Sequence, residues 1–120
     1  MPRSLVVKVT CGSEDAERCN QAFTVSAAAV AAGAEVSLWL TGEAAWFGVP
    51  GRAEEFDLAL APPLADLLEA VLGGGRVTVC TQCAARRGIA ESDLREGITI
   101  AGAAVFAEEI LTVGAQALVY

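Results

Sequence analysis

The sequence predicts a three-layer α/β/α sandwich built around a five-stranded, mainly parallel sheet, in a single domain spanning residues 1–120. Three observations predict it. Short β-branched apolar runs alternate with segments of helical periodicity along the whole chain. No hairpin signal joins consecutive runs, and parallel neighbours need long crossovers instead of tight turns. The runs are also continuously apolar, as strands buried on both faces must be. The composition agrees: 54% of the residues are hydrophobic but only 6% aromatic, so small aliphatic side chains must fill the core.

The elements follow in order. Residues 4–10 are β-branched and read as the first strand, and Cys11-Gly-Ser-Glu-Asp15 is a turn with helix-capping side chains. Residues 15–32 are helical, with Cys19, Phe23, Ala27 and Val30 on one apolar face and Gly33 as the stop. Residues 34–40 form a second strand. The loop 43–51 sets Trp46 beside Phe47; the pair either packs beneath its own loop or meets another chain, since interface cores favour aromatics. A charged connection over 52–57 leads to Pro62-Pro63, which suits a helix start. Leu64, Leu67, Leu68, Val71 and Leu72 form the buried stripe of that helix, and three glycines, 73–75, end it. Residues 76–80 are the third strand. A short helix follows through Arg87, with Thr81 as its cap and Gly88 as its stop. Residues 92–96 read as one more helical turn, 98–100 as a fourth strand, 102–111 as a helix opened by Gly102, and 116–120 as the fifth strand.

Charge excludes some functions. Eight basic against 15 acidic residues leave a net charge of −7. Nonspecific nucleic-acid binding needs cations to displace counterions, so nucleic acid is not an expected partner. No basic amphipathic stretch addresses a membrane surface. The apolar stretch in residues 1–10 is too short and too interrupted for a signal peptide or a spanning helix, which predicts a cytoplasmic protein.

The chemistry points to sulfur. The run Val77-Thr-Val-Cys-Thr-Gln-Cys-Ala-Ala-Arg-Arg-Gly88 puts Cys80 at the carboxyl end of a parallel strand and Cys83 in the first turn of the next helix. Ligand sites in α/β sheets lie at that end of the strands. Free helix N–H groups and nearby cations both favour thiolate over thiol. Arg86 and Arg87, three and four residues past Cys83, can project near its side. The CxxC spacing allows a disulfide, so one thiol could attack a bound sulfur while the other resolves the product. Cys11 closes the first strand at the same edge of the sheet and is either an auxiliary thiol or a half-buried filler. Cys19 belongs to the core.

Other chemistries fit less well. The chain has no histidine, so a Cys-His or Ser-His-Asp mechanism is excluded, and a tetrahedral zinc site would need all four cysteines. No metal or cofactor is therefore expected. The glycine pattern contains neither GxGxxG nor GxxxxGK[ST]. The residues alone leave three readings open: a sulfur carrier or sulfurtransferase, a thiol–disulfide redox protein, and a noncatalytic oligomeric binding module.

Cys80-Thr-Gln-Cys-Ala-Ala-Arg-Arg-Gly-Ile89, followed by Gly97-Ile-Thr-Ile-Ala-Gly102 and a helix into a final Val-Tyr strand, resembles the DsrE/DsrF-like family, which includes TusD-like sulfur-relay subunits and small YchN-like proteins. The resemblance is strongest from Arg76 onward and weakest over 41–60. It implies a DsrEFH-like fold and a persulfide-carrying cysteine eight residues before the glycine of an Arg-Arg-Gly run, which is Cys80 relative to Gly88. Cys83 is not part of the relay-subunit pattern; a thiol there could release a persulfide by forming a disulfide. The resemblance further implies a homotrimer, a homohexamer or a mixed assembly with sister subunits, and donor and acceptor proteins for the sulfur.

Overall fold

A computed structural model describes residues 2–120. Five strands form one sheet in the order β4-β3-β2-β1-β5: β1 (Ser4–Val9), β2 (Glu35–Leu40), β3 (Arg76–Cys80), β4 (Ile98–Ala101) and β5 (Gln116–Val119). Every pairing is parallel, so the sheet is wholly and not just mainly parallel. Four α-helices supply the crossovers: α1 (Ala16–Ala31), α2 (Leu64–Gly74), α3 (Thr81–Arg86) and α4 (Ala103–Ile110). None is long and apolar enough to cross a membrane.

Strand alternation divides the side chains between two layers. Val7, Val9, Leu38, Leu40, Val77 and Val79 point to one side, where they are buried with Phe23, Leu64, Leu68 and Val71 of α1 and α2. Burying a side chain of this size contributes about 1.5–3 kcal/mol, so this layer carries most of the stability. The opposite side presents Val6, Lys8, Ser37, Trp39, Thr78 and Cys80, and α4 covers it. Phe106 of α4 meets Trp39 edge-on, with centroids 5.3 Å apart. Glu109 of α4 accepts from Ser37 Oγ at 2.6 Å and from Trp39 Nε1 at 3.0 Å.

The segment between β2 and α2 differs most from expectation. A 3-10 stretch over Gly42–Gly48 and another over Ala53–Glu55 replace a plain loop. Phe47 is buried between Phe23 and Phe56, with its ring edge-on to both. Trp46 is half-buried under the guanidinium of Arg52, 4.2 Å from the ring centroid. The expected turn at 92–96 is instead a single 3-10 turn, Glu91–Asp93, in which Asp93 accepts from the Ala90 N–H.

The crossovers define where a site can form. The chain leaving β3 turns into α3 on the α1/α2 side, and Cys83 and Ala84 join that core. The chain leaving β4 turns to the α4 side and crosses back to β5. Adjacent strands that send their connections to opposite faces make a topological switch point, where open α/β sheets bind ligands. Cys80 and Ala101, the last paired residues of β3 and β4, stand at that point.

Candidate thiol site at the switch point

Cys80 ends β3 and is also the N-cap of α3, with φ −63° and ψ 131°. Its extended backbone turns the chain directly from strand into helix, so the N–H groups of the helix start face its sulfur. Thr81 is the first helical residue, exposed beside Gly102, and does not act as the cap. The cap position belongs to the residue that leaves the strand, and here that residue is the cysteine.

Four groups act on the half-buried Cys80 sulfur besides its burial. Burial is the largest influence and works against ionisation. The backbone N–H and the thiol of Cys83, the N–H of Gln82 and the charge of Lys8 together outweigh it, holding the Cys80 thiol below its ordinary value. Hydrogen bonds to the charged form favour that form, and so does a nearby opposite charge. Cys80 is thus the thiol whose anion its surroundings favour.

Cys83 is buried one turn into α3, and its sulfur accepts from the Gly42 N–H at 3.2 Å. Gly42 lies at φ +56°, and a Cβ there would stand 2.4 Å from the Thr10 carbonyl oxygen, so only glycine fits this turn. The 3-10 segment after β2 therefore contributes a donor to the second thiol.

The two arginines do not reach sulfur. Arg87 pairs with Glu43 through Nε at 2.8 Å and through its terminal nitrogen at 2.7 Å, and donates to the Cys83 carbonyl at 3.1 Å. Arg86 is exposed, and its nearest polar partner is Gln82 Oε1 at 3.5 Å. The expectation that both guanidiniums flank the thiols is corrected accordingly: Arg87 ties α3 to the Gly42–Gly48 segment, and Arg86 faces outward. The cation that acts on Cys80 is Lys8, which sequence reasoning missed. The available signal was a charged residue in the middle of the strand Ser4-Leu-Val-Val-Lys-Val9, where a doubly buried strand should be apolar throughout.

Cys11 follows β1 at the same edge but enters the α1 core, where its S–H donates to the Asp15 carbonyl at 3.7 Å. Burial first, then Asp15 and Glu14, push its thiol up. Its charge neighbour is Cys19, fully buried and pushed up by burial to about 12. The four sulfurs thus fall into two pairs, and among the described residues no cluster of three or more ligating side chains could hold a metal ion. A cavity of about 540 Å³ opens at the other end of the sheet, between Ser4, Glu35, Arg76 and the glycines 73–75. It shares no residue with the Cys80 site, so size alone does not identify the chemistry.

The comparisons with known proteins bear on fold and family. The chain is 31% identical over 98 residues to the uncharacterized protein MJ0760 of Methanocaldococcus jannaschii, an alignment covering 81% of this chain and 36% of that protein. The chain thus spans about a third of the length of that relative. Among solved structures, YchN of E. coli superposes with a TM-score of 0.80 at 19% identity, covering 100% of both chains. MTH1491 of Methanobacterium thermoautotrophicum gives 0.69 at 11% identity, covering 98% of this chain and 99% of its own. BT1422 of Bacteroides thetaiotaomicron gives 0.60 at 17% identity, covering 98% and 95%. At these identities the structural matches show the fold. The family is shown by the match of residues 4–119, nearly the whole chain, to its pattern: this protein belongs to the DsrE/DsrF-like family.

Proposed function

We propose that the chain is a sulfur carrier that holds sulfane sulfur as a persulfide on Cys80. The observation that carries this reading is the combination at one sulfur of half-exposure, a strand-end position at the switch point, and four groups favouring its anion. In the loading step the Cys80 thiolate attacks the outer sulfur of a donor persulfide. The new S–S bond forms to Cys80, the donor S–S bond breaks, and the electron pair leaves on the donor thiolate. In delivery an acceptor thiolate attacks the outer sulfur and Cys80 leaves as thiolate. Cys83 offers a second exit. It attacks the inner sulfur of the persulfide, expels hydrosulfide and forms a Cys80–Cys83 disulfide, which a dithiol reductant returns to two thiols.

The family resemblance supports donor and acceptor proteins as partners and a cytoplasmic setting, whose reducing conditions keep such thiols free. It also supports assembly as a homotrimer or homohexamer. The edge strand β5 is exposed along its length, and Leu118 and Val119 of β5, Val105 of α4, and Leu111 and Val113 just after α4 are exposed apolar side chains. Exposed edges and contiguous apolar patches mark surfaces that other chains cover.

Intact-mass and peptide mass spectrometry after incubation of the reduced protein with polysulfide tests the carrier reading. The expected result is an adduct of about 32 Da on Cys80 in the wild type and in Cys83→Ala, and none at that position in Cys80→Ser. A Cys83→Ala protein that takes up no sulfur at Cys80 refutes it. The CxxC spacing of Cys80 and Cys83 also favours a second reading, a thiol–disulfide couple. A reduction potential within the glutathione range, about −220 to −320 mV, together with no persulfide, would select that alternative.

A further inference from the structure

Lys8 is the only lysine in the chain. It lies in β1, between β2 and β5, on the layer opposite the main core. Its register partner in β2 is Trp39, and the partner of Trp39 in β3 is Thr78. Cys80 is two residues beyond Thr78 on the same strand, so Lys8 and Cys80 share one face of the sheet. The ammonium is held 4.9 Å from the centroid of Phe106, whose ring also packs against Trp39. Among the described residues no carboxylate lies within 4 Å of it.

The other charges near this face are occupied. Glu109 of α4 is taken by Ser37, Trp39 and, at 3.4 Å, Arg76, toward the amino-terminal end of the strands. Arg87 on α3 is paired with Glu43, and β4 presents only Ala101 beside Cys80. Lys8 is half-buried on this face, and among the described residues its ammonium has an aromatic ring but no carboxylate as a close partner. Cys80, two strands away on the same face, is where a thiolate can form to face it.

We propose that Lys8 is the positioning cation of the Cys80 site, holding the sulfur anion and drawing small anionic sulfur donors to it. This deepens the sulfur-carrier reading and rests on it for the donor class, but the charge relation between Lys8 and Cys80 is testable without any sulfur transfer. Thiosulfate and inorganic polysulfide are donors of the implied class. With thiosulfate, the Cys80 thiolate attacks the outer sulfur, the S–S bond of the donor breaks, and sulfite leaves with the bonding pair. Charge is conserved, at −3 before and after.

The test compares alkylation of Cys80 by iodoacetamide, which is neutral, with alkylation by iodoacetate, which is anionic, in the wild type, Lys8→Met and Lys8→Arg. Rates are followed at Cys80 by peptide mass spectrometry across pH. One charge acting over several ångströms in a partly solvated site supports about a threefold effect. Lys8→Met is expected to lower the iodoacetate-to-iodoacetamide rate ratio by about that factor and to move the iodoacetamide profile to higher pH. Lys8→Arg is expected to restore both. In the wild type, raising the salt from about 10 mM to 1 M should lower the ratio in the same direction, because screening shortens from about 30 Å to about 3 Å. This arm needs no variant to fold. An unchanged profile and ratio in Lys8→Met, or a wild-type ratio indifferent to salt, overturns the proposal. Persulfide formation with an indifferent ratio defeats Lys8 alone. A responsive ratio without persulfide leaves Lys8 standing and defeats the carrier reading.

Discussion

Replacing Glu109 tests how the second layer is attached. Its Oε1 accepts from two buried donors, Ser37 Oγ and Trp39 Nε1, in side chains 4% and 2% exposed, while its other oxygen meets the largely exposed Arg76 at 3.4 Å. Glu109→Leu removes the acceptor and leaves both donors unpaired, at about 1–3 kcal/mol each. The pair with Arg76 adds at most about 1 kcal/mol, because that guanidinium is solvated. The expected loss is about 4 kcal/mol. Glu109→Gln keeps a carbonyl oxygen for both donors and gives up only the charge, so about 1 kcal/mol is expected. For a chain of this length 1 kcal/mol corresponds to roughly 4 °C in Tm, which separates the two variants by about 12 °C. Urea and thermal unfolding followed by tryptophan fluorescence, at one protein concentration, measure both. Equal losses in the two variants would refute the reasoning, since they would mean that the Trp39 and Ser37 donors do not depend on this oxygen.

Two further outcomes follow from the thiols and their neighbours. Gly42→Ala places a methyl group 2.4 Å from the Thr10 carbonyl oxygen at φ +56°, so the turn must shift and withdraw its N–H from Cys83. A loss of about 2 kcal/mol or more in urea unfolding is expected, since the left-handed conformation alone costs about 1–2 kcal/mol, together with faster native-state alkylation of Cys83; unchanged values in both would count against the contact. Stability should also fall at alkaline pH. Cys19 keeps its proton in the folded chain up to about 12, whereas in the unfolded chain it ionises near 8.5, so the unfolded state gains as pH rises between these values. From pH 8.5 to 10.5 that amounts to about 2.3 kcal/mol, Cys11 acts in the same direction, and Cys80, whose thiol is held low, gains its stabilising contribution below that window and keeps it unchanged within it. Cys19→Ala should flatten the alkaline limb of the urea midpoint measured under reducing conditions; an identical slope would exclude Cys19 as the cause.

Periodicity and punctuation made most of the fold legible. The β-branched runs ending at Leu40 and Cys80, Pro63 before α2, and Gly102 before α4 all mark boundaries that the structure keeps. The segment from Gly42 to Glu55 was not legible, because 3-10 turns carry no 3.6-residue pattern and Phe47 is buried by contacts with Phe23 and Phe56 far apart in sequence. At the site, strand-to-helix placement of Cys80 and Cys83 could be read from local order. The electrostatics could not. Arg86 and Arg87 are close in sequence, yet Glu43, more than forty residues away, captures one and solvent takes the other. Lys8, seventy-two residues before Cys80, acts on it only because three strands lie side by side.

The unequal layering of the sheet has a consequence for motion. Two long helices are fused to one side by aliphatic burial, whereas the other side is closed by a single eight-residue helix fastened through Phe106 and one carboxylate. Native-state amide exchange should therefore separate the chain into a slow block, α1, α2 and β1 to β3, and a fast flap, α4 and β5. The flap carries the ring beneath the Lys8 ammonium, so breathing of this one wall would reset the surroundings of the Cys80 sulfur while the strand that bears it stays folded.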